Sequence, residues 1–366
     1  MIQSFLLFLS LYIQTILKMK ILVDNKIPYI HDAICLLTDD VVYLPATEFT
    51  SSNVKDADVL IVRTRIKCNK ELLEGSKVKF IATATIGFDH IDTEYCKEKG
   101  IVWKNAPGCN ANSVRQYIQS SFILLEKEYF GSLKGLTLGI VGVGHVGSKI
   151  AELAEEFGLN VLLNDPLRCD NEKDFDHHQL IELAELADII TFHVPLSREG
   201  KYPTYHLGND FFFRSLKKKP IIINSSRGEV IDTSSLKKYL DCHVVSQAII
   251  DVWENEPHID FDLLEKVFLG TPHIAGYSAD GKAKATEMSL NAISDYYKLD
   301  VNIKIEHPTP SDTQIIAKDK KEALLKIYDP RIDSHNLKSD ITQFEYLRSH
   351  YGLRREPSAF TIDIQK

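Results

Sequence analysis

Three side chains suited to acid–base chemistry on an anionic substrate follow apolar runs in the second half of the chain. Arg227 comes directly after Ile221–Asn224, Glu256 follows Val245–Ile250, and His273 lies 17 residues beyond Glu256. An arginine can bind a carboxylate through two parallel hydrogen bonds. A histidine exchanges protons near neutral pH, and a carboxylate partner fixes its tautomer. The set predicts a site that removes a proton from a substrate bearing a carboxylate.

Each of these residues also has an ordinary structural interpretation. Arg227 could be a surface arginine, Glu256 a loop carboxylate, and His273 simply one of 13 histidines. Ligands of open α/β sheets bind at the carboxyl ends of the strands. The position of all three residues beyond successive apolar runs therefore favours a shared function over three unrelated structural roles.

A glycine loop supplies the second element of the chemistry. Gly142–Gly147 has the spacing G-x-G-x-x-G, follows the predicted strand Leu136–Val141 and opens a helical pattern. This context predicts a dinucleotide site, in which glycines permit a tight turn and close approach to a pyrophosphate. Asp165 ends the next predicted strand, where a carboxylate can accept hydrogen bonds from the adenosine ribose, although it could also be a turn residue. Arg168 could bind the 2′-phosphate of NADP, so NADP stays open as an alternative to NAD. With a hydride acceptor, the three side chains fit oxidation of a 2-hydroxy acid.

The elements that must position these residues follow from the alternation of apolar runs with helical patterns, which predicts βα units and a parallel sheet. A breaker cluster at Ala106–Gly108 indicates a hinge. We expect a doubly wound domain over 111–276, a second α/β domain over 19–110 and 277–303, and a small domain over 304–366. The predicted strands are Ile21–Val23, Val59–Val62, Phe80–Thr83, Leu136–Val141, Val161–Leu163, Ile189–Phe192, Ile221–Asn224 and Val245–Ile250.

Composition excludes several classes of protein. With 366 residues, 44% hydrophobic and 26% charged, the chain can bury the cores of two or three globular domains. A net charge of −8 argues against a nucleic-acid partner, although it allows a local basic pocket. The six cysteines are scattered without zinc spacing, which favours a reducing, cytoplasmic compartment and no metal.

Residues 1–18 differ from the rest of the chain. Ile2–Leu17 carries no charge, but it is short for a membrane span and lacks the basic start and cleavage site of a signal peptide. Met19 opens the first predicted strand. We expect residues 1–18 to be an extension outside the fold, with no membrane partner; a membrane or export role is the alternative.

Taken together, these motifs resemble the D-isomer-specific 2-hydroxyacid dehydrogenases over roughly residues 19–300. The resemblance implies an NAD-binding Rossmann domain, a flavodoxin-like substrate domain, and catalytic roles for Arg227, Glu256 and His273. The cofactor-binding residues that it implies are Gly142, Gly144, His145, Val146, Gly147, Asp165, Val194, Ser225, Ser226, Arg227, Asp251 and Gly276.

Several stretches resemble one group within that family, whose substrate is a phosphorylated 2-hydroxy acid. They include Thr83–His90, Ala106–Ala111 and His273–Tyr277. This resemblance implies substrate contacts by Thr64, Thr85 and Tyr277.

The same group has a small dimerisation domain of α+β type, which residues 304–366 resemble in Tyr328–Arg331 and Leu353–Glu356. We therefore expect a homodimer. A phosphate needs cationic donors beyond Arg227, and Arg63 is one candidate. Arg354 and Arg355 are candidates from a partner chain, or else an ordinary solvated charge run.

Two other functions remain open at this point. The chain could be another 2-hydroxyacid dehydrogenase, acting on phosphoglycerate or on glyoxylate and hydroxypyruvate. It could instead be a non-catalytic, NAD-sensing corepressor on the same fold, because such relatives can keep the catalytic residues. A turnover assay separates the two classes.

Overall fold

The computed structural model describes residues 19–365, so the expectation for residues 1–18 lies outside the described residues. The described chain forms two compact units. Unit 1 contains the residues up to Asn110 together with Ala279–Pro308, and unit 2 contains Ala111–Ser278 together with the chain from Thr309 onward. No helix among the described residues is long and apolar enough to cross a membrane.

Unit 1 is built on a five-stranded parallel sheet with the strand order β2-β1-β3-β4-β5. This is the flavodoxin-like order expected from the sequence. Strands β1, β3 and β4 are buried at every position, as apolar runs covered on both faces must be. The sequence did not predict β2, which is half-buried, or β5, which has three residues. The strands are β1 (Ile21–Asp24), β2 (Val41–Leu44), β3 (Val59–Val62), β4 (Phe80–Thr83) and β5 (Val102–Lys104).

Four short helices and one long helix cover this sheet. The long helix places Ala283, Leu290 and Ile293 in one buried cluster with Ile21 and Phe80. Side-chain caps define where several of the short helices begin, because they satisfy amides that have no partner within the helix. The helices are α1 (His31–Ile34), α2 (Ser51–Val54), α3 (Lys70–Leu73), α4 (Thr93–Lys99) and α12 (Ala279–Tyr297).

Unit 2 is built on a six-stranded parallel sheet with the order β11-β10-β9-β8-β6-β7. The predicted α/β class is confirmed, and the five strands expected beyond the hinge are all present. A two-residue sixth strand, β11, was not predicted because it is too short to give a pattern. The order reverses between β6 and β8, which is where open α/β sheets bind ligands. The strands are β6 (Thr137–Val141), β7 (Asn160–Asn164), β8 (Ile189–Phe192), β9 (Ile221–Asn224), β10 (Gln247–Ile250) and β11 (Leu269–Gly270).

Helices surround this second sheet. The first of them, α5, buries 13 of its 15 residues, so it is a core helix and not a surface one. It continues into a π-helical turn at Glu126–Phe130. The helices are α5 (Ala111–Leu125), α6 (His145–Phe157), α7 (Pro166–Asn171), α8 (Leu180–Leu186), α9 (Asp210–Arg214), α10 (Thr233–Asp241) and α11 (Phe261–Lys266).

The C-terminal segment of unit 2 consists of two parallel strands and three helices. Its apolar side chains are part of the cores of unit 2: Tyr328 packs in one cluster with Tyr117, and Leu337 and Phe344 pack in another with Trp253. The expectation of a separate dimerisation domain over 304–366 stays a prediction. The elements are β12 (Gln314–Ala317), α13 (Lys320–Ile327), α14 (Pro330–Ser339), α15 (Phe344–Ser349) and β13 (Thr361–Ile364).

Candidate active site

The glycine loop after β6 has the shape that a dinucleotide requires. Gly142 adopts φ +87, and a Cβ there would lie 2.7 Å from the carbonyl oxygen of His193. A Cβ on Gly147 would lie 2.0 Å from the Gly142 carbonyl oxygen, so α6 packs directly on the turn. A Cβ on Gly144 would meet no described atom within 4 Å, which leaves that side open to a ligand. Helix α6 also begins without a side-chain cap, so its first amides can bind phosphate.

Asp165 lies at the end of β7, next to this loop. Its carboxylate accepts hydrogen bonds from the amides of Val143 at 2.9 Å and Arg168 at 3.0 Å. The guanidinium of Arg168 binds Glu172 and donates to the Val143 carbonyl at 3.0 Å. It also lies over the Phe175 ring. These contacts occupy the guanidinium of Arg168, the side chain that the sequence analysis considered for a 2′-phosphate.

The loop after β9 carries Arg227 next to two serines. Asn224 is buried and arranges this loop: its Oδ1 accepts from Ser226, and its Nδ2 donates to the Arg227 carbonyl at 2.9 Å. Arg227 Nη1 donates to the Ser226 carbonyl at 2.8 Å. Within residues 19–365, the buried Oγ of Ser225 has no hydrogen-bond partner. Buried hydroxyls normally form a hydrogen bond, so the state of Ser225 is consistent with a polar ligand that binds here.

Gly228 fixes the Arg227 loop against the loop that follows β10. A Cβ at Gly228 would lie 2.0 Å from the carbonyl carbon and oxygen of Trp253, so only glycine allows this approach. The two loops leave neighbouring parallel strands, which are in register from Gln247 to Ile250. Residues expected to be catalytic therefore come from adjacent loops of unit 2.

Glu256 and His273 form a hydrogen-bonded pair. His273 Nδ1 lies 2.8 Å from Glu256 Oε2, and the other carboxylate oxygen accepts from the Trp253 amide at 3.0 Å. His273 has φ +57, a left-handed conformation that few non-glycine residues adopt. Their side chains are 26% and 18% exposed, so the pair is partly shielded but reachable. Because Nδ1 donates to the carboxylate, Nε2 is the acceptor available for a substrate proton.

The charge of Glu256 is stabilised despite its burial. Burial by itself would raise the pKa of this carboxyl, but the charge of His273 and its hydrogen bond, together with Arg348, lower the pKa below its usual range. Glu256 therefore stays ionised and can stabilise a positive charge on the imidazole when the ring takes up a proton.

Asp251 supports the loop that carries His273. Its buried carboxylate accepts from Thr271 Oγ1 at 2.6 Å and from the amides of Ile274 at 2.8 Å and Ala275 at 2.9 Å. Burial raises the pKa of Asp251, although these bonds and the charge of His273 oppose the shift. The structure thus gives Asp251 a role in positioning the loop. Its predicted contact with the cofactor, like that of Gly276 and Val194, stays a prediction.

The sequence analysis missed Arg348, which lies in α15. Its Nε donates to the phenolic oxygen of Tyr277 at 2.9 Å, and its Nη1 lies 3.5 Å from Glu256 Oε2. Nothing in the sequence near Arg348 indicates this position, because 71 residues separate it from Tyr277. Only the packing of the C-terminal segment brings the side chain to the Glu256–His273 pair.

The interpretation of Arg354 as part of a solvated charge run is wrong, because the side chain is buried, and its contact with a partner chain stays a prediction. Arg354 is 5% exposed, stacks on the ring of Tyr328 and donates to the carbonyl of Ala275 at 2.6 Å. Arg355 is also buried, at 9% exposure. Arg354 is covered by the rings of Tyr328 and Tyr351 of its own unit, although the stretch looks polar in the sequence.

The predicted substrate residues of unit 1 lie in the loops after β3 and β4. Arg63 binds Asp24 through Nε at 2.9 Å and Nη2 at 3.2 Å, so its fork is already paired with a buried carboxylate. Thr64 is exposed in the turn that follows. Thr85 donates to the Gly87 carbonyl at 2.8 Å and lies 2.7 Å from the hydroxyl of Thr83. Contacts of these residues with a substrate stay predictions.

One group of potential metal ligands occurs in the described residues, although the sequence indicated none. Single ligand atoms of His206, Asp232 and Glu254 lie within 4.8 Å of one another. Their bonds have a structural explanation: His206 pairs with Glu254 at 2.7 Å, Glu254 accepts from the Thr233 amide, and Asp232 caps α10. We do not assign a metal to this group.

Comparison with known proteins places this geometry in a class. Residues 110–275 match the model of the D-isomer specific 2-hydroxyacid dehydrogenase, NAD binding domain. The chain resembles the structure of an Aquifex aeolicus D-lactate dehydrogenase complexed with NAD and lactic acid, with 27% identity, a TM-score of 0.62, and coverage of 77% of this chain and 96% of that one. The NAD⁺-bound 3-phosphoglycerate dehydrogenase of Entamoeba histolytica gives 27% identity, a TM-score of 0.64, and coverage of 79% and 99%. Unit 2 therefore contains the NAD-binding domain of a 2-hydroxyacid dehydrogenase.

Nearer relatives narrow the class. The chain is 57% identical to an erythronate-4-phosphate dehydrogenase of Bacteroides thetaiotaomicron over 344 residues. The aligned region covers 94% of this chain and 99% of that protein. It is 39% identical over 355 residues to the enzyme of the same name from Escherichia coli O81, with 94% of each covered. Residues 309–366 match a model described only as a domain of unknown function. The chain belongs to the erythronate-4-phosphate dehydrogenase family.

Proposed function

We propose that this chain oxidises 4-phospho-D-erythronate at C2 to 3-hydroxy-2-oxo-4-phosphooxybutanoate, with NAD as the cofactor, in the synthesis of pyridoxal 5′-phosphate. The observation that carries the proposal is the hydrogen bond of 2.8 Å between His273 and Glu256 in a unit that also holds the glycine loop and Arg227. The names of the relatives supply the substrate.

The chain's own groups account for the proton and for binding of the carboxylate. His273 Nε2 takes the proton of the C2 hydroxyl, while Nδ1 donates to Glu256 Oε2. The ionised Glu256 stabilises the imidazolium that forms. Arg227 binds the substrate carboxylate and the developing ketone oxygen, for which a planar fork is suited. Bound NAD supplies the hydride acceptor.

We assign the cofactor to Gly142, Gly144, Gly147 and the first amides of α6 for the pyrophosphate, and to Asp165 for the adenosine ribose. The open side of Gly144 and the uncapped start of α6 support the first assignment. The Ser225 hydroxyl, which has no hydrogen-bond partner in the described part of the chain, supports a polar contact at the other end of the site.

Substrate binding is assigned to Tyr277 in unit 2 and to Thr64 and Thr85 in unit 1. The two threonines lie in loops that follow adjacent parallel strands of unit 1, so they can act at one edge of its sheet. Arg63 is the weaker candidate for the phosphate, because Asp24 already neutralises its charge.

A steady-state assay of the full chain tests the function. We expect turnover with 4-phosphoerythronate and NAD, with kcat/KM at least about tenfold above the values for 3-phosphoglycerate with NAD and for glyoxylate or hydroxypyruvate with NADH. A preference for one of the other acids would identify a different 2-hydroxyacid dehydrogenase. NAD binding without turnover of any of them would favour a sensor protein and overturn the proposal.

We also infer a homodimer formed through residues 304–366, in the cytoplasm. Strands β12 and β13 pair only with each other among the described strands, and both Ile316 and Ile364 are exposed, at 50% and 43%. Unpaired edges with exposed apolar side chains are suited to association. Sedimentation velocity should give a dimer for the full chain and a shift toward monomer for Ile316→Glu with Ile364→Glu. A monomeric full chain at micromolar concentration would exclude the dimer.

A further inference from the structure

The C-terminal segment contacts the catalytic loop of its own unit at two points. Arg354 Nη2 donates to the Ala275 carbonyl at 2.6 Å, and Arg348 Nε donates to the Tyr277 hydroxyl at 2.9 Å. Arg348 also lies 3.5 Å from Glu256 Oε2. Ala275 within the turn that follows His273, and Tyr277 at the end of that turn, are therefore contacted by arginines of the C-terminal segment. The match to the NAD-binding family ends at residue 275 and does not include this segment.

The position of Arg348 is well determined by its helix. Phe344, one turn earlier in α15, is 1% exposed and packs in the core cluster that contains Trp253, with Leu347 packed against the same cluster. The arginine side chain itself is only 21% exposed. Because its helix is anchored and its side chain is largely buried, Arg348 loses little further conformational freedom when it forms its contacts. These contacts can therefore fix the positions of Tyr277 and Glu256.

We propose that Arg348 is a positioning residue of the active site, which sets both the orientation of the Tyr277 phenol and the placement of the Glu256 carboxylate. The proposal rests on the function proposed above, because it deepens the role of the same site. It also gives residues 309–366 a part in catalysis within their own chain.

The hydrogen-bond chemistry of the guanidinium supports this role. Arginine is always a donor, so its bond to Tyr277 occupies the phenolic oxygen as an acceptor. Tyr277 is then a donor in any contact with a substrate oxygen, as an anionic phosphate or carboxylate requires. The positive charge of Arg348 also favours the ionised form of Glu256, and the buried carboxyl of Asp251 interacts with the charges of both His273 and Arg348.

The test uses the full chain and the variants Arg348→Met, Arg348→Lys and Tyr277→Phe. We expect Arg348→Met to raise KM for 4-phosphoerythronate about tenfold while the Kd for NAD changes by less than about twofold. Arg348→Lys should recover part of the loss, since an ammonium can bind one partner but not both with the fork geometry. The KM effect of Arg348→Met should largely disappear in the Tyr277→Phe background, because Arg348 affects substrate binding through its bond to the Tyr277 hydroxyl.

Arg331→Met is the matched control, since Arg331 lies in the same segment, is exposed and, among the described residues, forms its ion pair with Asp329. It should leave KM and kcat unchanged. Equal effects of Arg348→Met in the presence and absence of the Tyr277 hydroxyl would overturn the proposal. So would wild-type kinetics in both Arg348 variants. If Arg348→Met does not fold, Arg348→Lys alone decides between these outcomes.

A measurement without substrate separates this inference from the proposed function. In protein labelled with 3-fluorotyrosine, the ¹⁹F resonance missing in Tyr277→Phe belongs to Tyr277. That resonance should shift in Arg348→Lys and stay in place in Arg331→Met. An unshifted resonance overturns the positioning role whatever the substrate is, whereas a shifted resonance in a protein that does not turn over 4-phosphoerythronate overturns only the proposed function.

Discussion

Unit 1 and unit 2 both carry candidate functional residues in loops at the carboxyl ends of parallel strands, but the loop after β4 in unit 1 and the loops that carry Glu256 and His273 in unit 2 are fixed by different means. In unit 1 the loop after β4 is closed by neutral bonds, in which Thr83 pairs with both Thr85 and His90. In unit 2 the corresponding loops contain buried or half-buried charges: Asp251 accepts three hydrogen bonds, and Glu256 pairs with His273.

This difference follows from the work that each set of side chains can do. Neutral hydroxyls bind a substrate without changing the charge of the site, so their loss should affect KM. A carboxylate next to an imidazole changes the energy of a proton transfer, so its loss should affect kcat. The cost of burying the charges of unit 2 is offset by backbone amides, which donate to Asp251 and Glu256, and by Arg348 next to Glu256.

The largest effect should come from removing the proposed base in unit 2. His273→Ala eliminates the proton acceptor, and we expect kcat to fall by about 10²–10⁴-fold. NAD binding, measured by fluorescence titration, should stay near the wild-type value because the glycine loop is untouched. Wild-type turnover in this variant would show that His273 is not the base. It would also contradict the expectation that side chains of unit 2 affect kcat while those of unit 1 affect KM.

The second prediction concerns stability against pH, measured separately for unit 1. Burial lowers the pKa of His90 from 6.5 to about 4. Below pH 6.5, His90 is protonated in the unfolded chain but stays neutral in the folded chain. The free energy of unfolding should therefore fall by about 1.4 kcal/mol for each pH unit down to pH 4. Trp103 lies in unit 1, and Trp253→Phe removes the other tryptophan of the chain. The fluorescence of Trp103 then reports the unfolding of unit 1 by urea.

His90→Gln is the matched variant for this measurement, because glutamine can still hydrogen-bond Thr83 but does not titrate. The fall in the free energy of unfolding between pH 6.5 and 4.5 should then be smaller by roughly 2 kcal/mol. The same slope in both proteins would show that His90 does not control the acid stability of unit 1.

The sequence singled out the candidate residues Arg227, Glu256 and His273 because they follow apolar runs, where a one-dimensional pattern locates a sheet edge. The structure joins Glu256 and His273 in a hydrogen bond, and the catalytic roles of all three stay predictions. The sequence also predicted β3, β4, β8 and β9 with the bounds that the structure shows. It could not predict Arg348, or the bond of 2.9 Å from Tyr117 to Thr271 that supports Asp251, because these contacts join residues 71 and 154 positions apart.

The error over Arg354 has a related cause. Paired arginines before Glu356 and Pro357 look like a solvated charge run, and no local pattern reveals the rings of Tyr328 and Tyr351 that cover Arg354. Burial of a charge depends on partners supplied by distant segments. The sequence therefore predicts the part of the candidate site that lies at the ends of strands. It does not predict the residues that the C-terminal segment contributes.

A smaller effect should follow removal of a neutral contact in unit 1. Thr85→Val deletes the hydroxyl that bonds to Thr83 and Gly87, and we expect KM for 4-phosphoerythronate to rise about tenfold with kcat within about threefold of wild type. Thr85→Ser keeps the hydroxyl and serves as the control, with kinetics close to wild type. A large loss of kcat in Thr85→Val would mean that unit 1 also takes part in the chemical step.

The smallest effect should be a change in cofactor preference in unit 2. Asp165 places a negative charge next to the glycine loop, and Glu172 pairs with Arg168. Repulsion between a carboxylate and a 2′-phosphate near the surface amounts to about 1 kcal/mol, so wild type should favour NAD over NADP in kcat/KM. Asp165→Ser should reduce that preference by roughly fivefold, and adding Glu172→Gln should release Arg168 and reduce it further. Arg168→Met in the double variant should restore the preference for NAD. If the wild-type enzyme already favours NADP, Arg168 leaves Glu172 on binding the cofactor, and the charge of Asp165 does not select it.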